Sequence, residues 1–139
     1  MNVFVDSDVI ISSLISQKGA AYLLLHTDTL TMYISSLSQK EIEIVLDRLN
    51  IAKNDFKNLI EKRLQVVSLM KSVSAIKKDF QRYVGDIHDA HIVAGAKEAN
   101  VQFLLTYNMK DFKIEEIKED FTIMVMSPGQ FLQYLRSLK

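Results

Sequence analysis

The alternation of short apolar segments with stretches of helical periodicity is the feature that most constrains this fold. The clearest apolar segments cover residues 2–6, 31–35, 101–106 and 122–126, and residues 66–70 form a weaker one. Each segment has the length of a strand, and near-continuous apolar character is typical of parallel strands that helices cover on both faces. These segments predict the strands of one sheet.

Helical stretches occupy the intervals between the predicted strands. Ile42, Val45, Leu46 and Leu49 have helical spacing, and Ser38 with Glu41 three residues later matches a capping box. The other predicted helices cover residues 9–16, 20–26, 56–64 (capped by Asn54 or Asp55), 73–84, 88–99 (capped by Asp86), a short stretch after Asp111, and 129–138 (after Ser127 and Pro128). This alternation predicts a three-layer α/β/α fold with a central, mostly parallel sheet.

Composition limits the classes of protein and of site. A length of 139 residues with 48% hydrophobic and 24% charged residues fits a single domain, residues 1–139. The absence of cysteine excludes a disulfide framework, a thiolate zinc site and a cysteine nucleophile. The first residues lack the basic segment of a signal peptide, and no apolar run approaches the roughly 18 residues of a membrane helix. We therefore expect a cytoplasmic protein without a membrane partner.

Charge is unevenly distributed, although the formal net charge is zero. Residues 51–85 carry eight basic and three acidic residues, whereas acidic residues outnumber basic ones on both sides of this stretch. A solvated helix face accounts for such a stretch. The alternative interpretation is a basic wall beside an acidic centre.

Acidic and polar side chains follow several of the predicted strands. Ligands of parallel α/β sheets bind beyond the carboxyl ends of the strands, so residues at these positions are candidate site residues. They are Asp6 and Asp8 after the first strand, Thr106, Asn108 and Asp111 after the strand 101–106, Glu41 in the helix after the second strand, and Asp86 and Asp89 near the start of the helix 88–99. Several acids are thus expected to converge on one edge of the sheet.

Carboxylates in one cleft repel each other, and a hard divalent cation such as Mg²⁺ or Mn²⁺ offsets the repulsion. Such an ion suits phosphodiester hydrolysis, because it activates water and neutralises the leaving oxygen. Each acid alone also has an ordinary explanation: Asp86 as an N-cap, Glu41 as half of a capping box and Asp111 as a helix start. His88 and His91 flank Asp89 and suggest zinc, but the predominance of oxygen ligands favours Mg²⁺ or Mn²⁺.

Four segments resemble the PIN-domain family of metal-dependent ribonucleases, especially its VapC-type toxins. VFVDSDVIISSL resembles the opening strand with the first acid, and SSLSQKEIEIVL resembles the segment that carries the second acid. The most specific segment is DIHDAHIVAGAKEANVQFLLTYNMKDF, in which an acid opens an Ala-rich helix before an apolar strand, a Thr-x-Asp/Asn pattern and an Asp-Phe pair. MSPGQFLQYL is similar to the final strand, Pro turn and helix. The resemblance covers nearly the whole chain.

The resemblance implies roles for the candidate residues. Asp6, Glu41 and Asp89 would ligate Mg²⁺ or Mn²⁺ directly or through water, Asp111 would be a peripheral ligand or orient water, and Thr106 and Asn108 would hydrogen-bond a carboxylate or a phosphate oxygen. It also implies RNA as the substrate, a small antitoxin that covers the site, and a homodimer. Candidate contacts for RNA phosphates are Lys77, Lys78, Arg82 and Lys110.

Two residues depart from the family pattern. Asp8 stands where the family has Asn or Ser and adds a carboxylate beside Asp6, and Asn108 stands where many members have Asp. If Asp111 does not reach the metal, the site would hold one ion or bind it weakly. The additional carboxylate of Asp86 would then compensate.

Two other functions stay open on the sequence alone. Asp6-x-Asp8 after the first strand is also the pattern of aspartate-nucleophile phosphatases, with Asp6 as nucleophile and Asp8 as acid and base, although Glu41 would have no role there. The second is a degenerate PIN-like scaffold that binds RNA or a protein without catalysis, which the Asn108 departure allows.

Overall fold

The centre of the computed structural model, which describes residues 1–139, is a five-stranded sheet. In chain order the strands are β1 (Asn2–Val5), β2 (Thr31–Ser35), β3 (Leu64–Val67), β4 (Phe103–Leu105) and β5 (Met124–Met126). Four of them lie within the predicted ranges, and β3 begins two residues before the predicted start at residue 66.

The strand order is β3-β2-β1-β4-β5, and all four strand pairs are parallel. The chain first builds the sheet from β1 towards β3, then returns and places β4 on the other side of β1. The order therefore reverses between β1 and β4, and ligands of such sheets bind in the crevice at this point. Asp6 and Thr106 are the residues that directly follow these two strands.

Helices cover both faces of the sheet, as the sequence predicts. They are α1 (Ser7–Ile15), α2 (Ala20–Leu25), α3 (Ser36–Arg48), α4 (Asn54–Lys62), α5 (Val73–Phe80), α6 (Ala90–Glu98), α7 (Ile114–Phe121) and α8 (Pro128–Ser137). Short 3₁₀ turns cover Gln81–Tyr83, Ile87–Asp89 and Met109–Asp111. No helix combines the length and the apolar character that crossing a lipid bilayer requires.

The core consists of two hydrophobic clusters, one on each face of the sheet. Val3 and Val5 point into the first cluster, which α1, α2, α3, α4 and α8 complete. Phe4 and Leu104 point into the second cluster, which α5, α6 and α7 complete. This separation follows from the period of two along a strand, which sends successive side chains to opposite faces.

Helix α6 packs very closely on β1. A Cβ atom on Gly95 would lie 2.6 Å from Cζ of Phe4 and 3.4 Å from Cβ of Ser35. Phe4 is fully buried. Glycine at this position therefore sets the distance between the sheet and the helix that begins just after Asp89.

Several predicted helix ends are wrong. α3 begins before the predicted capping box, because the Ser35 hydroxyl at the end of β2 accepts the Ser38 N–H at 3.0 Å and caps the helix three residues earlier than the predicted cap, Ser38. α4 has Lys53 in the N-cap position instead of Asn54 or Asp55. The predicted helices 73–84 and 88–99 each contain a 3₁₀ turn, at the end of the first and at the start of the second. Ser127 and Pro128 open α8 as predicted, with a capping box to Gln130.

Candidate active site at the carboxyl edge

Asp6 joins the ends of β1 and β4. Its Oδ1 accepts the Ser7 N–H at 2.7 Å, which makes it the N-cap of α1, and its Oδ2 accepts the Thr106 hydroxyl at 2.9 Å. Its backbone N–H donates to the Leu105 carbonyl at 2.9 Å. The carboxylate is therefore fixed by the helix and by the neighbouring strand, and the N-terminal end of α1 favours its negative charge.

Asp8, in the first turn of α1, is held by the segment after β4. Its Oδ2 accepts the Tyr107 N–H at 3.1 Å and the Asn108 Nδ2 at 3.0 Å, and the Thr106 hydroxyl lies 3.4 Å away. A hydroxyl has one proton, so Thr106 donates it over the shorter distance to Asp6 and accepts the Asn108 N–H at 3.0 Å. The Oδ1 of Asp8 is buried and has no hydrogen-bond partner.

Four further acids lie on α3 and on the 3₁₀ turns Ile87–Asp89 and Met109–Asp111 or next to them. The exposed Asp86 caps a 3₁₀ turn by accepting the His88 N–H at 3.0 Å, and the half-buried Asp89 ends that turn. Asp111 ends another 3₁₀ turn, and its carbonyl accepts the Gly85 N–H at 2.8 Å, which brings the segment after β4 beside Asp86. Glu41, in the second turn of α3, is 52% exposed. We call Asp6 and Asp8 the inner acids, and Glu41, Asp86, Asp89 and Asp111 the outer acids.

Burial and mutual repulsion shift the titration of these acids. Burial, and next the charge of Asp8, raise the pKa of Asp6 to about 7, against the lowering effect of the hydrogen bonds from Thr106 and Ser7. Burial also raises the pKa of Asp8. The pKa of Asp89 is raised by burial, then by the charges of Asp86 and Asp111. Negative charge is thus disfavoured in this cleft unless a cation is present.

The same interactions show which predicted residues the fold brings together. Asp89 acts on Asp6, and Asp86, Asp111 and Glu41 act on Asp89, so the inner and outer acids share one electrostatic field. No three Asp, Glu or His side chains are grouped so that they could hold a metal ion as they stand. The structure thus places the inner and outer acids within electrostatic reach of one another, without assembling them as a ready set of metal ligands.

His91, which the sequence offered only as a candidate zinc ligand beside Asp89, makes a contact with Glu41 that the sequence did not predict. Its side chain lies in the first turn of α6, is nearly buried, and places Nε2 3.0 Å from Oε1 of Glu41, while Nδ1 is buried without a partner. His88, the other candidate histidine, is exposed. The sequence around His91 does indicate an unusual histidine, because residues 90–96 are otherwise small or apolar. All of them are buried.

The predicted RNA contacts lie on the surface around the second cluster. Lys77 and Lys78 are in α5, Arg82 is in the following 3₁₀ turn, and Lys110 is in the turn after Asn108. Lys78, Arg82 and Lys110 are exposed, whereas Lys77 is half-buried. Arg82 lies 3.7 Å from Asp120, and the three lysines form no ion pair.

Comparisons with known proteins identify related folds. A family model described as PIN domain matches residues 2–110. A chain of VapBC2 from Rickettsia felis, solved bound to a DNA fragment from its promoter, superposes with a TM-score of 0.60 and 15% identity, covering 91% of this chain and 98% of that chain. A chain of a toxin–antitoxin complex from Klebsiella pneumoniae gives 0.67 and 18%, covering 91% and 97%. At these identities the structures show a shared fold. No curated protein matches the sequence significantly.

Proposed function

The chain belongs to the PIN-domain family, and from this premise we propose that it is a Mg²⁺- or Mn²⁺-dependent endoribonuclease and the toxin of a toxin–antitoxin pair. PIN-domain proteins are nucleases and generally use a divalent metal ion. RNA as the substrate, the identity of the ion and the residues that act are parts of the proposal.

The observation that carries the proposal is the group of carboxylates at the switch point of the sheet, where burial and, next to it, mutual repulsion of Asp6, Asp8 and Asp89 disfavour negative charge. The pKa of Asp6 is raised to about 7 although two hydrogen bonds stabilise its ionised form. The pKa of Asp89, across the same cleft, is raised as well. Groups whose pKa is displaced by burial and by each other, in the crevice of an α/β sheet, are typical of functional sites.

The donor set fits a hard divalent ion. All candidate ligands are carboxylates, and one buried oxygen, Oδ1 of Asp8, has no hydrogen-bond partner. Oxygen ligands of this kind select Mg²⁺ or Mn²⁺ over softer metals. In the proposal Asp6, Asp89, Glu41 and Asp86 hold the ion, and Asp111 acts at its periphery. When bound, the ion would activate water and stabilise the charge that develops on the phosphodiester.

Other residues hold the carboxylates or the RNA. Thr106 donates to Asp6 and the side-chain amide of Asn108 donates to Asp8, and these hydrogen bonds hold the inner carboxylates in place. Lys77, Lys78, Arg82 and Lys110 would contact phosphates of the RNA, in a manner that weakens with salt. Their placement around α5 and the turn after β4 puts them on segments that also border the outer acids.

The toxin assignment rests on the likeness to the two complexes named above. One is a toxin–antitoxin complex, and the other is a VapBC2 complex with promoter DNA. We propose that this chain likewise pairs with a small antitoxin that covers its acidic site. A homodimer is part of the same proposal.

Cleavage of a mixed RNA pool tests the proposed activity. Purified protein is incubated with Mn²⁺, Mg²⁺ or EDTA, beside the Asp6→Asn/Asp89→Asn variant. We expect metal-dependent cutting that EDTA and the double substitution abolish. Absence of cutting by folded protein free of any partner would instead support the degenerate scaffold. Turnover of a chromogenic phosphate ester would support the phosphatase, which the family match disfavours.

A further inference from the structure

We infer that His91 is a positioning residue, which holds Glu41 in place for metal binding through the contact between Nε2 and Oε1. This inference rests on the proposed function, because it takes Glu41 as one of the carboxylates that hold the ion. It assigns a role to a side chain that neither the family match nor the sequence pattern connects with Glu41.

The contact joins two helices that otherwise share no polar interaction. Glu41 lies on α3, whose Ile42 and Leu46 belong to the first hydrophobic cluster, and His91 lies on α6 in the second cluster. The 3.0 Å contact is the only polar contact that joins these two helices. It therefore links the two helical layers at the edge of the sheet where the acids lie.

Glu41 has no other means of orientation. Its side chain is half exposed and accepts no hydrogen bond from another residue. A free glutamate side chain samples several rotamers, and fixing it costs conformational entropy when it must ligate. A contact with the almost immobile ring of a buried histidine restricts these rotamers before the ion arrives.

The fold itself does not require a histidine at this position. His91 is only 9% exposed, and its Nδ1 is buried without a partner, which is unfavourable for folding. Its neighbours on α6, such as Ile92, Val93 and Ala94, are apolar and buried. An apolar residue would serve the packing better, so the imidazole is explained by what its other nitrogen contacts.

The His91–Glu41 pair also interacts electrostatically with Asp89. Both His91 and Glu41 influence the charge of Asp89, in opposite directions. A glutamate held by His91 is therefore near the carboxylate that the proposal places on the ion. Without the imidazole, Glu41 is free to turn into solvent and away from Asp89.

Four variants of the full chain test the inference: His91→Leu, His91→Gln, Glu41→Gln and the double variant His91→Leu/Glu41→Gln. Mn²⁺ binding is measured by calorimetry and thermal unfolding is measured without metal. We expect His91→Leu to unfold no earlier than the parent but to bind Mn²⁺ roughly tenfold more weakly. His91→Gln should recover part of the affinity, because its amide can donate to Glu41.

The double variant separates positioning from packing. If His91 acts through Glu41, adding His91→Leu to Glu41→Gln weakens Mn²⁺ binding no further. The inference is overturned if His91→Leu binds Mn²⁺ like the parent while Glu41→Gln weakens binding, an outcome that leaves the metal site intact. It is equally overturned if Glu41→Gln has no effect while Asp6→Asn abolishes binding. A parent chain that binds no Mn²⁺ contradicts the proposed function itself.

Discussion

The inner and the outer acids lie at one edge of the sheet but are held in different ways. Asp6 and Asp8 accept hydrogen bonds from the start of α1 and from the segment after β4, which fix their carboxylates on the sheet. The side chains of Asp89 and Asp111 accept none, and Asp86 and Glu41 are largely exposed. Hydrogen bonds therefore order the inner acids, whereas among the outer acids Asp89 and Asp111 have no such bonds and Glu41 has only its contact with His91.

This difference indicates how the fold accommodates a concentration of negative charge. Hydrogen bonds from Thr106, Tyr107 and Asn108 offset part of the cost of burying the inner acids, and the rest of that cost, with the repulsion between Asp6 and Asp8, appears as raised pKa values. Among the outer acids only Asp89 carries a similar cost, because it is half-buried, whereas Glu41 and Asp86 are exposed to water. Asp6 should consequently contribute most to metal binding and to the pH dependence of stability.

The largest expected effect is on RNA cleavage, which should fall much further when an inner acid is substituted than when an outer acid is substituted. Asp6→Asn should lower Mn²⁺-dependent RNA cleavage at least about a hundredfold, since it removes a buried ligand worth several kcal/mol of charge stabilisation. Asp86→Asn, at an exposed position, should lower it less than about tenfold. Single-turnover cleavage rates at saturating Mn²⁺ measure both, and equal losses would contradict the distinction between inner and outer acids.

The next effect concerns stability without metal. A carboxyl group whose pKa is higher in the folded than in the unfolded chain stabilises the fold while protonated, and this stabilisation is lost as the pH rises. For Asp6 the window runs from its ordinary pKa of 3.8 to about 7. The free energy of unfolding should fall by roughly 2–4 kcal/mol across this window in EDTA.

Urea unfolding at a series of pH values measures this dependence. Asp6→Asn should flatten the pH dependence and stabilise the protein at pH 8, because it removes the buried charge, and Mn²⁺ should restore much of the stability of the parent. Asp86→Asn serves as the control with a nearly unchanged profile. A parent that becomes more stable between pH 5 and pH 8 in EDTA would refute the raised pKa of Asp6.

A third prediction concerns a substitution that should shift the outer acids relative to the inner acids. Gly95→Ala places a Cβ 2.6 Å from Cζ of the fully buried Phe4, so either the ring or α6 must shift. We expect a loss of roughly 1–3 kcal/mol in the free energy of unfolding. Because Asp89 directly precedes α6, the affinity for Mn²⁺ should fall as well.

A matched substitution controls for the loss of glycine itself. Gly129 lies in α8, and a Cβ added there meets nothing within 4 Å, so Gly129→Ala should not destabilise the fold. Calorimetry with Mn²⁺ and urea unfolding of both variants make the comparison. If Gly95→Ala were as stable as Gly129→Ala, the close approach of α6 to the sheet would not position the outer acids.

The sequence predicted the strands and the inner acids better than the outer part of the site. Apolar strand segments leave a strong signal, and Asp6 follows the first of them directly, so its place at the sheet edge could be inferred. The 3₁₀ turns that carry Asp89 and Asp111 could not, because they depend on tertiary contacts such as the bond from Gly85 to Asp111. The same is true of His91, whose contact with Glu41 joins residues 50 positions apart in the chain.

Local capping signals were also ambiguous where several candidates lie close together. Ser35, Ser36 and Ser38 can all cap a helix, and Ser38 with Glu41 matched the stronger motif. The end of β2 decided the outcome, since the chain leaves the sheet at Ser35 and its hydroxyl is the first that can reach a free N–H. Glu41 therefore takes no part in a capping box, and its carboxylate contacts His91 instead.

The smallest expected effect concerns a single hydroxyl proton in the inner part of the site. Thr106 is fully buried, and its donation to Asp6 is one of the interactions that lower the pKa of that carboxyl. Thr106→Val keeps the shape and removes the donor, so the pKa of Asp6 should rise further and the fold should lose about 1 kcal/mol at pH 8. Thr106→Ser retains the donor and should leave the pKa of Asp6 near that of the parent.

Carbon-detected NMR titration of the side-chain carboxyl groups resolves Asp6 and Asp89 in one experiment. A shift of Asp6 alone would show that hydrogen bonding tunes the inner acids independently of the outer ones, whereas an equal shift of Asp89 would mean that the two groups titrate as one unit.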